Sequence, residues 1–297
     1  MTRTGLLFSG QGSQRVGMGA AWQQVEAWAA VDRVSEVSGH DLVSLLLDSD
    51  DETLKRTDRA QIATFALEMV VLSHFLIADA DAETVVAHAG HSLGEYSALV
   101  AAGVLDIESA ARLVAARGAA MLAAANEQPG TMVAVMGMDE PVLAAAVAEL
   151  QGGGARVWIA NDNAPGQIVL AGDEDGIARA RDLGKVIALP VGGAFHSPLM
   201  ASAEPALRTA LDAAHFGAGT APVVANVDAR PHDGGPEWRD LLARQLTSPV
   251  RWTPSVRALV DDLGCDAFVE IGPGTTLASM VKRIAKGVPC RPVSPPA

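Results

Sequence analysis

The sequence predicts an α/β fold in which a mainly parallel sheet is covered by helices. Short β-branched or aliphatic runs alternate with Ala/Leu-rich segments of helical period along the chain, a pattern typical of parallel strands joined by helices. The 297 residues, of which 49% are hydrophobic, lie near the length of roughly 250 to 300 residues at which single cores split into domains. We therefore expect one large domain and a smaller one.

The large domain is predicted from four strand-like runs and the helical segments between them. The strand-like runs are Gly5 to Phe8, Thr84 to Gly90, Pro222 to Asn226 and Ala267 to Ile271. The helical segments include Trp22 to Ser38, Arg59 to Ile77 and Glu95 to Ala102. A further helix is predicted to open after Asp106, whose side chain suits an N-cap.

A self-contained unit interrupts this alternation between residues 131 and 190. Its predicted strands are Thr131 to Met136, Arg156 to Ala160, Gln167 to Ala171 and Lys185 to Leu189, and its predicted helices are Glu140 to Leu150 and Asp175 to Leu183. The order βαββαβ is that of a ferredoxin-like unit, and turn-forming residues flank it on both sides. We predict a small domain of residues 127–194 inserted into a large domain of residues 1–126 and 195–297, with the ligand site in the cleft between them.

Composition and charge exclude several classes of function. A net charge of −13 argues against a nucleic-acid binder, which needs a dense basic face. Cys265 and Cys290 have no C-x-x-C spacing, so neither a disulfide framework nor a thiolate metal site is indicated. The N-terminus leads straight into a strand-like run and no apolar stretch approaches 18 residues, so we expect a cytoplasmic protein without a signal peptide or membrane span.

The most informative motif is GHSLG at residues 90–94, with Ser92 at its centre. It lies between a strand-like run and a helical one, as in the nucleophile elbow of α/β-hydrolase-like enzymes. In that turn the flanking glycines let backbones approach closely, and the N–H of the next residue, here Leu93, faces the developing oxyanion. Ser92 is therefore the predicted nucleophile. An ordinary strand–helix turn is the alternative, because the pentapeptide also occurs by chance.

A serine nucleophile needs a base within hydrogen-bond reach, and His196 is the best placed of the seven histidines. It lies where the chain leaves the small domain, between a glycine-rich hinge and a helix that begins near Pro198. A capping or packed histidine is the alternative. His91 is too close in sequence to serve Ser92, and the pair His88 and His91 lacks a third ligand, so no metal site is predicted.

Two further side chains are predicted to reach this cleft. Arg117 lies at the edge of the apolar stripe of its helix, where its guanidinium either forms an internal ion pair or binds a substrate carboxylate bidentately. Gln11 follows the first strand on a Gly-flanked turn, either as a wall of the site or as part of a plain turn. Arg15 stands where a dinucleotide fingerprint needs its last glycine, so Rossmann-type binding is disfavoured.

Ordered motifs continue through the rest of the chain. They are FSGQGSQ at 8–14, the region of Gln61, GHSLGEYSALVAAG at 90–103, Arg117, IANDNAPGQIVLAG at 159–172, GAFHSPLM at 193–200, ANVDA at 225–229, QLTSPVRW at 245–252 and EIGPG at 270–274. This set resembles the malonyl-CoA:acyl carrier protein transacylase family, which includes the acyltransferases of polyketide synthases, among them trans-acting ones. Ser9 departs from the family pattern, in which proline is common at this position.

The resemblance implies a ping-pong acyltransferase that uses a coenzyme A thioester as substrate and needs no metal or redox cofactor. Ser92 would attack malonyl-CoA with His196 as its base, and the phosphopantetheine thiol of an acyl carrier protein would then accept the malonyl group. We expect a monomer that functions in fatty-acid or polyketide biosynthesis. The alternatives are a serine thioesterase or hydrolase, a transacylase for a different acyl group, and a non-catalytic carrier-docking protein.

The resemblance also implies roles for the other site residues. The substrate-binding set would be Arg117, which anchors the malonyl carboxylate, with Phe195, Gln61 and Met121. Gln11 and the N–H of Leu93 would form the oxyanion site. The backbone carbonyl of Gln245 would orient the histidine in place of a triad acid. Phe195 before the histidine and Leu93 after the serine resemble the malonyl-selecting type.

Overall fold

The computed structural model describes residues 2–78 and 84–296, which form two β-sheets with helices packed around them. The strands are β1 (Arg3–Phe8), β2 (Thr84–Gly90), β3 (Thr131–Met136), β4 (Val157–Ala164), β5 (Gln167–Gly172), β6 (Lys185–Ala188), β7 (Ala218–Val224), β8 (Pro231–Gly234), β9 (Ala267–Ile271) and β10 (Cys290–Pro292). The helices are α1 (Ala29–Ser38), α2 (Leu42–Leu47), α3 (Asp51–Lys55), α4 (Thr57–Ala78), α5 (Gly94–Ala101), α6 (Ile107–Glu127), α7 (Glu140–Gly152), α8 (Glu174–Ala180), α9 (Glu204–Ala213), α10 (Trp238–Gln245), α11 (Trp252–Asp261) and α12 (Thr276–Ile284).

The larger sheet has six strands in the order β10-β9-β1-β2-β7-β8. β1 lies at its centre and pairs in parallel with β2 and β9, whereas β8 is antiparallel to β7. β1 is buried from Thr4 to Phe8, as expected for a parallel strand covered on both faces. Phe8 and Gly90 are partners in the register of β1 and β2. The loops after these two strands therefore leave the same edge of the sheet side by side.

The smaller sheet has four antiparallel strands in the order β4-β5-β3-β6. Its elements follow one another as βαββαβ, and its apolar face forms a separate core with residues of α7 and α8 such as Leu143 and Ile177. The predicted fold class, a parallel-sheet domain carrying a second small domain, is confirmed. The domain limits at 126/127 and 194/195 stay predictions.

The main difference from the predicted elements is the length of β4. The sequence predicts a strand that ends at Ala160, but β4 continues to Ala164 with two irregularities in its pairing with β5. The large domain stabilises the extension, because the N–H of Val250 donates to the Ala160 carbonyl at 2.8 Å and the N–H of Asp162 donates to the Val250 carbonyl at 3.0 Å. The polar residues 161–163 resemble a turn in sequence but lie in a strand, because hydrogen bonds from the large domain pair their backbone groups.

Two other elements begin at least four residues away from their predicted starts. The helix predicted from Trp22 begins only at Ala29, because Val25 adopts extended backbone angles and short 3-10 turns precede and follow it. β7 begins at Ala218, four positions before the predicted start, and pairs there with the edge strand β8.

Helix α4 is a core helix. Within it, Thr57–Ile77 is long and apolar enough to cross a membrane by length and composition, but most of it is buried inside the protein. The expectation that no apolar stretch approaches 18 residues is therefore wrong for this helix. Because α4 packs against α1, α2, α5 and α6, apolar residues lie all around it, as in other buried helices.

Candidate active site

Ser92 lies on a tight turn between β2 and α5. Its φ of +54° is in the left-handed region, which residues other than glycine rarely adopt. The flanking glycines are required by close approach: a Cβ on Gly90 would lie 1.9 Å from the carbonyl carbon of Gly94, and a Cβ on Gly94 would lie 2.2 Å from the Phe8 carbonyl oxygen. This is the geometry that a nucleophile elbow needs to present its hydroxyl at the carboxyl edge of a sheet.

Asn226 holds this turn in place. Its Oδ1 accepts the N–H of Ser92 at 2.7 Å, and its Nδ2 donates to the Gly90 carbonyl at 2.7 Å. Its own backbone N–H donates to Oε1 of Glu95 at 2.6 Å. Asn226 belongs to the ANVDA motif, but the motif alone does not predict this role. A fully buried amide that bonds both sides of the turn stabilises the strained serine.

His196 is the partner of the serine. Its Nε2 lies 2.6 Å from Oγ of Ser92, and its Nδ1 lies 2.9 Å from the backbone carbonyl of Gln245. Because a carbonyl can only accept, Nδ1 carries the proton and the lone pair of Nε2 faces the serine. Burial, and then the charge of Arg117, lower the pKa of His196 to about 3. The imidazole is therefore neutral and able to accept a proton at physiological pH.

Arg117 is a buried guanidinium beside the nucleophile, only 1% exposed. Nη1 donates to Oε1 of Gln61 at 2.6 Å, and Nη2 donates to Oγ of Ser92 at 3.0 Å and to Oε1 of Gln245 at 2.8 Å. Its Nε has no hydrogen-bond partner. All three partners are uncharged oxygens, so the internal ion pair considered for Arg117 does not form in the described part of the chain.

The side chain of Gln245 joins these groups. Its Nε2 donates to the Ser92 carbonyl at 2.9 Å and to Oε2 of Glu95 at 2.7 Å, while its Oε1 accepts from Arg117. Burial raises the pKa of Glu95 to about 8, against the opposing effect of its bonds from Asn226 and Gln245. The sequence predicted only the backbone carbonyl of Gln245, but its side chain also fixes the nucleophile turn and the guanidinium.

Ser92, His196 and Arg117 open into a cavity of about 340 Å³ between the two sheets. Of the other predicted site residues, Gln11, Met121 and Phe195 line this cavity. Gln61 and Gln245 are fully buried and contact Arg117, and the side chain of Leu93 is buried. The small domain contributes an apolar wall, formed by Met132, Val169, Leu189 and Val191. The structure therefore brings Ser92, His196, Arg117, Gln11, Met121 and Phe195 to one cleft, whereas Gln61, Gln245 and Leu93 lie outside its lining.

His91 connects the nucleophile turn with the small domain. Its Nε2 lies 2.7 Å from Oδ1 of Asn163 on β4, and its ring centroid lies 5.4 Å from that of Trp252. Sequence analysis excluded His91 as the base and did not identify Asn163, since the predicted strand ended before it. Both residues line the cavity, so this contact sets the distance between the two walls.

The fold and the cleft together define an α/β protein of the acyltransferase class. The family model described as acyl transferase domain matches residues 6–293, and the chain belongs to this family. The resemblance predicted from the motifs is thereby confirmed.

Known relatives align with this chain over nearly its whole length. Malonyl CoA-acyl carrier protein transacylase of Bacillus subtilis (strain 168) is 38% identical over 304 residues, covering 100% of this chain and 95% of the relative. The crystal structure of malonyl-CoA:acyl carrier protein transacylase from Xanthomonas oryzae pv. oryzae superposes with a TM-score of 0.92 at 39% identity, covering 100% and 96% of the two chains. A malonyl-transacylase solved in complex with its type II PKS acyl-carrier protein has a TM-score of 0.90 at 34% identity, covering 98% and 95%.

Proposed function

We propose that this protein transfers a malonyl group from malonyl-CoA, through an ester on Ser92, to the phosphopantetheine thiol of an acyl carrier protein. The observation that carries the proposal is the guanidinium of Arg117, which is buried 3.0 Å from the nucleophile oxygen with uncharged partners. A buried charge without a counter-ion is unfavourable. The free carboxylate of a malonyl group would supply that counter-ion and place its thioester carbonyl at Ser92.

In the first half-reaction, His196 acts as the general base. Its Nε2 takes the proton of Ser92 as Oγ attacks the thioester carbonyl, and the resulting oxyanion is stabilised by the N–H groups of Leu93 and Gln11. The tetrahedral intermediate collapses by breaking the C–S bond. His196 gives its proton to the departing thiolate, which leaves as coenzyme A, and the malonyl group remains as an ester on Ser92.

In the second half-reaction, the pantetheine thiol of the carrier protein enters where coenzyme A left. His196 removes its proton, the sulfur attacks the ester carbonyl, and the proton returns to Ser92 as the new thioester forms. Transfer must be faster than hydrolysis, which requires that water be kept from the ester. The apolar wall of the small domain and the anchored carboxylate both serve this purpose.

A neutral acceptor is sufficient to orient the imidazole. The Gln245 carbonyl fixes the tautomer of His196 as a carboxylate does in other serine enzymes, but it adds no negative charge. The imidazolium that forms during each step is therefore stabilised less than beside a carboxylate, and burial, the main cause of the lowered pKa of His196, disfavours it further. A base of this kind suits a thioester substrate, because the thiolate is a good leaving group.

The partners and setting belong to the same proposal. The complex of a related malonyl-transacylase with its type II PKS acyl-carrier protein supports a carrier protein as acceptor, in fatty-acid or polyketide biosynthesis. We expect a cytoplasmic monomer whose substrate is the coenzyme A thioester. The described residues hold no group of three or more His, Cys, Asp or Glu side chains that could bind a metal ion, and the lack of a metal or redox cofactor stays a prediction.

The test is incubation with malonyl-CoA followed by intact-mass measurement, then addition of a holo acyl carrier protein. The proposal expects a malonyl adduct on the wild type, none on Ser92→Ala, and transfer of the adduct to the carrier. Release of free malonate without carrier loading would indicate a hydrolase, and neither product would indicate a binding module. A panel of acyl-CoA donors tests whether another acyl group is preferred.

A further inference from the structure

The carboxyl group of Glu68 lies in the middle of α4 and takes no part in the reaction described above. It is 0% exposed. Its Oε1 lies 2.9 Å from Oγ of Ser9, and its Oε2 lies 2.6 Å from Oγ of Ser97. Burial raises the pKa of Glu68 well above its usual range, although its bonds with Ser97 and Ser9 oppose this change. Both hydroxyl groups donate to the carboxyl group, so hydrogen bonds hold each of its two oxygens in place.

Glu68 begins a chain of hydrogen bonds that ends at the loop after β1. Oγ of Ser13 lies 3.2 Å from Oγ of Ser9 and 2.7 Å from the carbonyl oxygen of Gly10. Each hydroxyl has one proton to donate. Ser9 donates its proton to Glu68, so its oxygen faces Ser13 as an acceptor, and the proton of Ser13 is shared between Oγ of Ser9 and the Gly10 carbonyl. Every donor in the chain then has an acceptor.

The end of this chain controls the direction of one backbone N–H. The Gly10 carbonyl also accepts the N–H of Ser13 at 3.3 Å, which closes a turn whose third residue, Gly12, has a φ of +102°, as in a type II turn. The carbonyl of Gly10 and the N–H of Gln11 belong to one planar trans peptide. Anchoring the carbonyl on Ser13 therefore sets where the N–H of Gln11 points, and Gln11 lines the cavity beside Ser92.

We infer that Glu68, Ser9 and Ser13 are positioning residues that hold the N–H of Gln11 toward the oxyanion of the reacting thioester. The inference rests on the proposed acyl transfer at Ser92. It gives a function to Ser9, the position at which the motif departs from the family pattern: its hydroxyl links the buried acid to the loop.

The experiment compares variants along the chain with a matched variant off it. Ser9→Ala and Glu68→Leu break the chain, and Glu68→Gln keeps it, because the amide oxygen can accept from Ser9 as the carboxyl oxygen does while the amide nitrogen can donate to Ser97. Ser97→Ala removes the same kind of bond from the same carboxyl without touching the loop. For each variant, single-turnover acylation by malonyl-CoA gives the rate constant and the half-saturating concentration, and thermal unfolding gives stability.

Misplacing a donor by a fraction of a bond length affects the transition state more than substrate binding. We expect Ser9→Ala and Glu68→Leu to lower the acylation rate constant about 10- to 100-fold, with the half-saturating concentration changed less than about 2-fold. Glu68→Gln should acylate at the wild-type rate. Ser97→Ala should lower the melting temperature but leave the acylation rate constant at the wild-type value. Wild-type rates in Ser9→Ala, or equal slowing in Ser9→Ala and Ser97→Ala, would overturn the inference. If Glu68→Leu does not fold, Ser9→Ala and Ser13→Ala decide it. A wild type that forms no malonyl adduct would instead contradict the proposed function.

Discussion

Nη2 of Arg117 lies 3.0 Å from Oγ of Ser92, so the nucleophile contacts the guanidinium and the imidazole of His196 at the same time. The hydroxyl accepts from the cation and donates to the base. A carboxylate is a stronger acceptor than a hydroxyl, so in the proposed reaction an arriving malonyl carboxylate would take over the guanidinium and free a lone pair of Oγ for attack. The proposed mechanism therefore couples binding of a dicarboxylic acyl group to release of the Ser92 hydroxyl.

Replacement of Arg117 by alanine is expected to abolish selection for malonyl groups. A hydrogen bond to a charged group contributes roughly 1.5 to 3 kcal/mol, and two such bonds to one carboxylate correspond to a loss on the order of 100-fold or more in the rate of malonyl loading. Acetyl-CoA has no free carboxylate and should gain relative to malonyl-CoA. Intact-mass measurement of the Ser92 adduct with each donor checks both statements.

Arg117→Lys is the matched variant for this prediction. A lysine keeps the charge but lacks the planar fork that contacts Gln61, Ser92 and Gln245 together. It should load malonyl groups at a rate between those of the wild type and Arg117→Ala. Equal malonyl loading by Arg117→Ala and the wild type would refute the role of Arg117 as the carboxylate anchor.

The acylation rate should be insensitive to mild acid. An ordinary histidine with a pKa near 6.5 loses about 20-fold of its neutral form between pH 7 and pH 5. Burial lowers the pKa of His196 to about 3, so its imidazole stays neutral over this whole interval. We expect kcat/KM for malonyl-CoA, which reports the free enzyme, to change less than about 2-fold from pH 7 to pH 5. A fall that follows a pKa near 6.5 would show that His196 is not held in the neutral form described above.

Strands and turns that depend on neighbouring residues could be predicted from the sequence. The contacts between distant residues that hold the site in place could not. The strands Thr131–Met136 and Ala267–Ile271 have the predicted ends, because β-branched runs bounded by turn residues are a local signal. The nucleophile turn is also local, since its glycines and serine lie within five positions. The extension of β4 depends on Val250 of the other domain, so residues 161–164 alone do not predict it.

Contacts between distant parts of the chain explain what sequence analysis missed at the site. Asn226 bonds a serine that is 134 positions away, and the Gln245 side chain bonds Glu95 at a separation of 150. Such pairs follow from how helices and strands pack, which periodicity does not determine. The resemblance identified the Gln245 backbone as important, but only the packing reveals that its amide connects Ser92, Glu95 and Arg117.

Asn226→Asp tests how the strained turn is stabilised. An aspartate can still accept the N–H of Ser92, but it cannot donate to the Gly90 carbonyl as Nδ2 does at 2.7 Å. It would also place a charged carboxylate next to the buried side chain of Glu95, which already bonds the backbone of residue 226. We expect unfolding free energy to fall by about 1 to 3 kcal/mol, as for a buried group left unpaired, and acylation to slow. Urea denaturation and single-turnover acylation measure the two effects, and unchanged stability would show that the amide does not support the turn.

Glu95 gives the protein a stability that declines toward alkaline pH. Its pKa is raised by burial to about 8 in the folded protein, against 4.5 as the ordinary value. Between these values the folded state holds a proton that the unfolded state has released. The stability that this proton contributes is therefore complete below pH 4.5 and is lost as the pH rises through 8, with a slope of at most about 1.4 kcal/mol per pH unit. Glu95→Gln replaces the titrating carboxyl group with an amide of similar shape that does not titrate.

The buried histidines change the stability with pH in the opposite direction. The wild type and Glu95→Gln must therefore be compared at each pH. The pKa values of His88 and His196 are lowered by burial to about 4 and about 3, and their unfolded forms bind protons first, which reduces stability as the pH falls below 6.5. This contribution is common to the wild type and Glu95→Gln and cancels in their difference. We expect the unfolding free energy of the wild type relative to Glu95→Gln to fall from pH 5 to pH 8 in urea titrations. A difference that is constant over this range would mean that Glu95 is ionised in the folded protein throughout, and that its bonds from Asn226 and Gln245 outweigh its burial.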